Sequence, residues 1–215
     1  MAIVQNPSTG RSSGKFANAI FQTLFGKTIL RSKPIEVYNP KTPGQVAQRT
    51  KFDLIVQYFR RILPILRIGF SLQAIGMSAW NAATSTNIKL AITGTSPDFS
   101  LDYSKMIIAK GPLLSANVAF MDENTIEAVS IGIPEHCLMT DPEYNDLVYG
   151  LFYNLTKDSF MTSMGVQKRS DWLVSVAPEL WEAGDVVHGW VFYTSPDGSI
   201  ISDSVYAGST TLIGG

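Results

Sequence analysis

The sequence predicts an α+β fold in which an N-terminal extended arm and helices pack with a C-terminal β-sandwich. Three observations predict it. Residues 1–38 lack helical periodicity, residues 39–100 place apolar side chains at three-and-four spacing, and from residue 101 onward the apolar period changes to two. We therefore expect an arm over 1–38, a helical region over 39–100 and a sandwich over 101–215.

The arm contains one segment with the alternation of a strand. In KTILRSK, residues 28, 30 and 32 alternate with residues 29, 31 and 33. An N-terminal segment of this length is ordered only where it is tied down. Two arrangements stay open: a leading hairpin packed on its own domain, or an extended arm that grips a neighbouring subunit.

The clearest helix begins after Thr42. Thr42 is a suitable N-cap, Pro43 suits the first helical position, and Gln45 stands where a capping box places Glu or Gln. Pro64 lacks a backbone donor, so the helix is expected to end or kink near Leu63. Its apolar face consists of Phe52, Ile55, Val56, Phe59, Ile62, Leu63 and Leu66. Its polar face consists of Arg49, Lys51, Asp53, Gln57, Arg60 and Arg61.

A second helical region is expected within residues 68–92. One stripe of it consists of Met77, Trp80, Ala83, Asn87 and Leu90. The following segment, residues 93–104, is rich in turn formers around Pro97 and Asp98, which predicts a loop.

Strand-like runs separated by turn signals fill the rest of the chain. They are residues 105–114, 117–133, 145–155, 170–180, 185–208 and 209–213. Such regular spacing is typical of a β-sandwich. Within the fifth run, Ser195-Pro196-Asp197-Gly198 predicts a hairpin turn.

Residues 177–193 place a Pro-Glu-Leu turn and a Gly-Asp turn before an aromatic-rich strand. This segment resembles the corner between strands E and F of immunoglobulin-like and fibronectin type III sandwiches. A single cysteine, Cys137, excludes an internal disulfide, so packing alone must hold the sandwich. The complete expectation is thus an N-terminal extended arm and helices packed with an immunoglobulin/fibronectin-like β-sandwich.

Composition indicates a globular protein, since 45% of the residues are hydrophobic and 16% are charged. Charge is unevenly distributed along the chain. Residues up to Phe70 include eleven Lys/Arg and two acids, whereas those from Ser71 onward include six Lys/Arg and sixteen acids. This asymmetry is compatible with a nucleic-acid-binding arm, but interleaving of basic and apolar residues favours contact between the basic part and an acidic protein surface. No membrane-spanning run or signal peptide is recognisable, so we expect synthesis in a cytoplasm and no membrane contact.

No catalytic pattern stands out. His136 adjoins Cys137 in a loop rich in Gly and Pro, and His188 begins an aromatic strand; a structural role is favoured for each. One cluster of acids consists of Asp141, Glu143 and Asp146. Its spacing lacks the glycine and terminal glutamate of a known calcium loop, which favours a solvated loop. We therefore expect a protein that is not an enzyme, with no catalytic residue, no metal and no cofactor.

Three sets of residues are candidates for binding. The assembly candidates are Arg31, Gln45, Gln48, Arg49 and Phe52. The candidate nucleic-acid contacts, basic side chains able to follow a phosphate backbone, are Lys51, Arg60, Arg61 and Arg67. A sugar-binding face is conceivable for Tyr144, Tyr149, Tyr153, Tyr193 and Tyr206. Their alternation within strands favours cross-strand core pairs instead.

Several motifs carry a resemblance that covers nearly the whole chain in order. They are Ser12-x-Gly14-Lys15, Arg31-Ser32, Asn39-Pro40-x-Thr42-x-x-Gln45-x-x-Gln48-Arg49-x-x-Phe52, Ile68-Gly69-Phe70, Trp80-Asn81-Ala82-Ala83, Asp102-Tyr103-Ser104, Lys110-Gly111, and Asp197-Gly198 with Ser202-Asp203-Ser204-x-Tyr206-x-Gly208. This set resembles an uncharacterised family, a domain of unknown function, of Bacteroidota and their phages. Related Asn-Pro-x-Thr-Pro-x-Gln helices are similar to those of proteins encoded beside phage head and tail genes.

The resemblance implies a phage virion component and brings no catalytic residues. We expect a non-enzymatic structural protein that forms a symmetric assembly, such as a ring, a collar, a tail or a capsid-associated complex, with copies of itself and other virion proteins. The first alternative is a nucleic-acid-binding or packaging-associated protein that uses the basic N-terminal third. The second is a carbohydrate-binding adhesin module.

Overall fold

The computed structural model describes residues 2–4, 14–36, 38–134 and 144–214. The chain divides into two compact units, Met1–Val46 and Ala47–Gly215, called unit 1 and unit 2 below. Helices and antiparallel sheets are both present, and strands prevail, which confirms the α+β class. None of the helices in the described ranges combines the length and hydropathy needed to cross a membrane.

Unit 1 contains a sheet of four strands: β1 (Ala2–Val4), β2 (Gly14–Phe16), β3 (Ala19–Leu24) and β4 (Lys27–Ser32). The sheet is antiparallel, with the strand order β1-β4-β3-β2. The turn between β3 and β4 places Phe25 and Gly26 at φ values of 49° and 75°, the left-handed pair typical of a two-residue hairpin turn. The strand predicted from the alternation of KTILRSK is confirmed as β4.

Three helices follow: α1 (Pro43–Arg61), α2 (Leu63–Gly69) and α3 (Ala79–Leu90). As predicted, α1 begins directly after Thr42 and ends before Pro64. Pro64 lies in the first turn of α2, where its missing backbone donor costs no hydrogen bond. The prolines therefore set both limits of α1.

The stripe predicted for the second helical region is only partly right. Ser78 caps α3 by accepting a hydrogen bond from the backbone N–H of Asn81 at 3.2 Å. Met77 therefore lies before the helix, and Leu90 at its end is exposed. The residues that α3 buries are Ala82, Ala83, Thr84 and Asn87.

Unit 2 contains a four-stranded antiparallel sheet of order β10-β9-β12-β13 and a three-stranded antiparallel sheet of order β11-β8-β7. The strands are β7 (Phe120–Asn124), β8 (Val129–Gly132), β9 (Leu147–Asn154), β10 (Ser159–Lys168), β11 (Leu173–Val176), β12 (Val186–Thr194) and β13 (Val205–Thr211). The predicted Ser195–Gly198 turn is confirmed between β12 and β13.

Three local expectations differ from the structure. Residues 93–104, predicted as a loop, contain the hairpin of β5 (Ile92–Thr95) and β6 (Asp98–Leu101), because Thr95 pairs with Asp98 around a two-residue turn. Residues 105–114, predicted as a strand, form none. Strand β10 was not predicted, because its mixed sequence SFMTSMGVQK shows no clean alternation.

The four-stranded sheet of unit 2 is covered on both faces. On β12, Trp190 and Phe192 belong to a core shared with Ile55, Phe59 and Leu66 of the helices. The alternate residues of the same strand belong to a second core, which they share with β8 and β11 of the three-stranded sheet. Unit 2 therefore has three layers: helices, the four-stranded sheet and the three-stranded sheet.

Two glycines bring the two sheets close together. A Cβ added to Gly189 of β12 would lie 2.5 Å from the sulfur of Met121 and 3.0 Å from Ile131. A Cβ added to Gly150 of β9 would lie 3.0 Å from Val174. Because any side chain here would meet the facing sheet, glycine is the residue that this packing distance requires.

Polar side chains take the place of strand partners along residues 106–111. The amide group of Asn87, fully buried on α3, donates to the carbonyl of Ile107 at 2.8 Å, and its oxygen accepts from the Ile107 N–H at 2.8 Å. The Ser204 hydroxyl accepts from the N–H of Ile108, and the Asp203 carboxylate accepts from that of Gly111, each at 3.0 Å. The Ser202-Asp203-Ser204 motif thus has a structural role, and residues 105–114 need no strand.

We predict that Asn87→Ala lowers the free energy of unfolding by about 2–4 kcal/mol, because two buried backbone groups of Ile107 lose their partners. Denaturant unfolding measures the change. Asn81→Ala, at an exposed position of the same helix, is the matched control and is expected to change stability by less than about 0.5 kcal/mol. Equal losses for the two variants would contradict the structural role of Asn87.

Candidate functional site

The sheet of unit 1 has one basic and aliphatic face. By strand register, one face, named the Arg31 face here, carries Lys15, Ile20, Gln22, Leu24, Lys27, Ile29 and Arg31. Lys27 and Arg31 are exposed on it, and Leu24 is 43% exposed. Aliphatic side chains flanked by basic ones at a sheet face are suited to a protein surface that is apolar and acidic.

The residues described in unit 1 are almost all exposed or only partly buried. Among its described residues Thr28 is buried, and no described apolar side chain of the unit is. Two of the apolar side chains, those of Phe25 and Ile35, are 55% and 100% exposed. A sheet of this size ordinarily needs one covered apolar face to be stable.

The remaining assembly candidates lie along α1. Gln45, Gln48, Arg49 and Phe52 follow one another at helical spacing and are all exposed, with Phe52 at 50%. Phe52, which the helical spacing places on the apolar face, is exposed, because burial on α1 begins at Ile55. Arg31 and Gln45 belong to unit 1, whereas Gln48, Arg49 and Phe52 belong to unit 2.

The four nucleic-acid candidates separate into two pairs. Lys51 lies over the ring of Phe99, with Nζ 4.8 Å from the ring centroid. Arg61 forms an ion pair with Asp158. Arg60 and Arg67 are exposed, and the structure shows no ion pair for either of them among the described residues. Two of the four candidates are therefore engaged within unit 2.

An aromatic cluster that sequence reasoning missed lies between the helix layer and the four-stranded sheet. It is named the tyrosine cluster and consists of Tyr58, Tyr103, Tyr153, Phe160, His188, Trp190 and Tyr206. Tyr58 packs edge-on against Tyr153, with ring centroids 5.0 Å apart. Tyr103 lies 5.4 Å from Tyr153 and 4.6 Å from the ring of His188.

Asp158 connects this cluster to α1. The Arg61 guanidinium pairs with the Asp158 carboxylate and donates a hydrogen bond to its backbone carbonyl at 2.8 Å, while the Tyr153 hydroxyl donates to the carboxylate at 3.1 Å. Hydrogen bonding to Arg61 holds the pKa of Asp158 below its usual value. Asp158 has a φ of 49°, a left-handed conformation that Asp tolerates better than most residues.

Burial favours the neutral form of each of these titrating groups in the cluster. Desolvation raises the pKa of Tyr58, Tyr103 and Tyr153 and lowers the pKa of His188. The Nδ1 atom of His188 lies 2.7 Å from the hydroxyl of Tyr206. At neutral pH the cluster therefore holds neutral tyrosines and a neutral histidine.

A cavity of about 230 Å³ opens beside the cluster. Its lining combines three tyrosine rings, three leucines and three polar side chains: Tyr58, Tyr103, Tyr153, Leu54, Leu101, Leu155, Gln57, Arg61 and Asp158. The hydroxyl of Tyr58 is buried and has no hydrogen-bond partner among the described residues. These residues come from α1, from the segment after β5 and from the β9–β10 hairpin. Because they lie far apart in the sequence, no local pattern predicts the cavity.

Asp146 and Tyr149, also considered in the sequence, lie in different environments. Asp146 is buried beside Arg169, which corrects the expectation of a solvated loop for this acid. Asp141, Glu143, His136 and Cys137 lie outside the described residues. Tyr149 stacks on Phe192 at 5.1 Å, which confirms a cross-strand core pair. Within the described ranges, no group of three or more His, Cys, Asp or Glu side chains is arranged to hold a metal ion.

A comparison with protein-family models matches residues 11–208 to a model described as "Family of unknown function (DUF6266)". The match covers most of both units, and all the motifs quoted above, from Ser12 to Gly208, lie within it. A search of curated proteins finds no match to the sequence.

We predict that His188 makes stability depend on pH. Its pKa is lowered in the folded protein, so the unfolded chain binds the proton more tightly, and stability falls as pH drops below about 6.5. Unfolding free energies measured at pH 7.5 and 5.5 should therefore differ less for His188→Gln than for the wild type. The same difference in both proteins would show that His188 titrates alike in the folded and unfolded states.

Proposed function

Since the chain belongs to the DUF6266 family of unknown function, we propose its role from its own residues: a non-enzymatic structural protein that assembles with further copies of itself through the sheet of unit 1. The proposal includes a place in a phage particle, as part of a ring, a collar, a tail or a capsid-associated complex. Virion proteins of Bacteroidota phages are the proposed context, with other virion proteins as further partners.

The exposed sheet of unit 1 is the observation that carries this proposal. None of the apolar side chains described in this four-stranded sheet is buried, so they gain too little from apolar burial to offset the loss of chain entropy. Covering one face with another protein surface would supply the missing burial. A second copy of the chain is the partner we propose, because most soluble oligomers are symmetric assemblies of identical chains that use the same surfaces in every copy.

Charge supports a second copy as the partner. Unit 1 carries six Lys/Arg and one acid, whereas unit 2 carries eleven Lys/Arg and seventeen acids. The Arg31 face of one copy is therefore complementary to the acidic surface of unit 2 in another copy. Apolar side chains between the basic ones would supply affinity, and the charges would orient the encounter.

The absence of enzyme activity is part of the proposal. Several polar side chains of the sequence motifs and of α3 form hydrogen bonds with the backbone and so have a structural role. They are Asn87, Asp203 and Ser204. An immunoglobulin or fibronectin type of topology for the two packed sheets of unit 2 is likewise proposed. It is supported by the shared core between the sheets and by the turns that precede β12.

We predict that the full-length protein forms a discrete oligomer that Lys27→Glu/Arg31→Glu dissociates, because both changes place acid on the Arg31 face opposite an acidic surface. Light scattering at low and moderate salt gives the mass. Lys33→Glu/Lys41→Glu makes the same charge change outside the strands and is the matched control, expected to keep the oligomer. A monomeric wild type, or an oligomer that survives Lys27→Glu/Arg31→Glu, would overturn the proposal.

The exposure of Arg60 and Arg67 favours one second candidate, binding of nucleic acid. Phosphate contacts make affinity fall with salt, with a slope that decreases by about one for each contact removed. Arg60→Ala/Arg67→Ala should therefore weaken binding of duplex DNA and flatten its salt dependence, as measured by fluorescence anisotropy. Unchanged binding in this variant would remove the candidate, and Asp122→Asn, at an exposed acid on β7, controls for general changes of charge.

A further inference from the structure

We propose that the cavity beside the tyrosine cluster binds a neutral sugar ring. The cavity joins an aromatic ring surface, aliphatic side chains, and a paired carboxylate and guanidinium within a single unit of the chain. This inference goes beyond the proposed assembly and does not depend on it, since every lining residue belongs to unit 2.

The walls of the cavity offer aromatic and aliphatic surface. Tyr103 and Tyr153 both line it, with ring centroids 5.4 Å apart. Tyr153 is only 4% exposed and stacks on Phe160 at 4.5 Å, whereas Tyr103 is half-buried, so the ring of Tyr103 is the aromatic surface open to a ligand. The leucines Leu54, Leu101 and Leu155 complete the lining. The C–H groups on one side of a pyranose ring carry slight positive charge and pack favourably on the negative face of an aromatic ring.

The rim of the cavity offers hydrogen-bonding groups. Arg61, Asp158 and Gln57 are exposed, whereas Tyr58 is buried, so the first three form the rim and Tyr58 forms the floor. Arg61 contacts Asp158 through its Nη1 atom. Arg61 and the Tyr153 hydroxyl both contact the same carboxylate oxygen of Asp158, Oδ1. The other guanidinium nitrogens and the second carboxylate oxygen are suited to adjacent hydroxyl groups of a sugar, one accepting and one donating.

The charge of the rim selects a neutral ligand. Arg61 and Asp158 neutralise each other, so neither a phosphate nor an ammonium group finds an uncompensated opposite charge there. A polyhydroxylated ring satisfies donors and acceptors together without adding charge.

The size of the cavity limits the ligand to one ring. At about 230 Å³ it is smaller than the about 300–1,000 Å³ of pockets that enclose drug-sized ligands. A single sugar has few non-hydrogen atoms, so affinity for one ring is expected in the millimolar range. A glycan chain would then continue past the exposed rim.

The test is a titration with methyl β-D-glucoside, methyl β-D-galactoside and N-acetylglucosamine, followed by NMR signals of the protein and by saturation transfer to the sugar. At least one of the sugars should give saturable shifts at Gln57 and at the rings of Tyr103 and Tyr153. Sodium phosphate and tetramethylammonium chloride are titrated as charged probes. Shifts at these residues with a charged probe and with none of the sugars would overturn the proposal, as would no shift with any probe.

Adjacent arginines give a matched pair of variants. Arg61→Ala should weaken sugar binding by about tenfold or more, because it removes a rim donor and releases Asp158, while Arg60→Ala makes the same charge change outside the lining and should stay within about twofold. Gln57→Ala tests the rim at an exposed helical position that does not threaten folding. Sugar binding unchanged in both Arg61→Ala and Gln57→Ala would place the ligand elsewhere and overturn the proposal.

Discussion

The structure of unit 2 depends on one constraint: its four-stranded sheet is buried on both faces. Trp190 and Phe192 of β12 face the helices, and the residues between them face the three-stranded sheet. A strand in this position cannot present polar side chains to solvent on either side. The helix layer and the second sheet are therefore both needed, and neither can be removed without exposing a full apolar face. Glycines at 150 and 189 follow from the same constraint, since they set how closely the second sheet approaches.

Much of this fold is readable from the sequence because its signals are local. Thr42, Pro43 and Pro64 fix the limits of α1 within a few residues, and the apolar, aromatic-rich runs of β9 and β12, bounded by turn residues, are enough to identify both strands. Where interactions are long-range, prediction fails. Residues 105–114 look like a strand but are held by Asn87, Asp203 and Ser204, which lie far away in the chain. Strand β10 was missed because its neighbours, and not its own pattern, define it.

The candidate sites differ in how far the sequence reveals them. The basic character of the first third is visible in the order of residues, and the strand register then assigns Lys27 and Arg31 to one face. The cavity is not visible in this way. Its tyrosines are separated by about half of unit 2 in sequence and meet only because α1 lies on β9. Gln57 and Arg61 lie one helical turn apart on α1, but such polar pairs are too common on helices to indicate a site. Only the packing of α1 on β9 brings them beside the tyrosines.

The ion pair between Arg61 and Asp158 joins two layers of unit 2, because Arg61 ends α1 and Asp158 belongs to the hairpin that extends from β9. A group bound across this pair would contact helix and hairpin together. By mass action, any such ligand that binds only the folded state adds its binding free energy to the stability of the whole unit. Occupancy of the cavity would therefore be reported by the melting temperature, and the attachment of the helix layer would become a property regulated by ligand concentration.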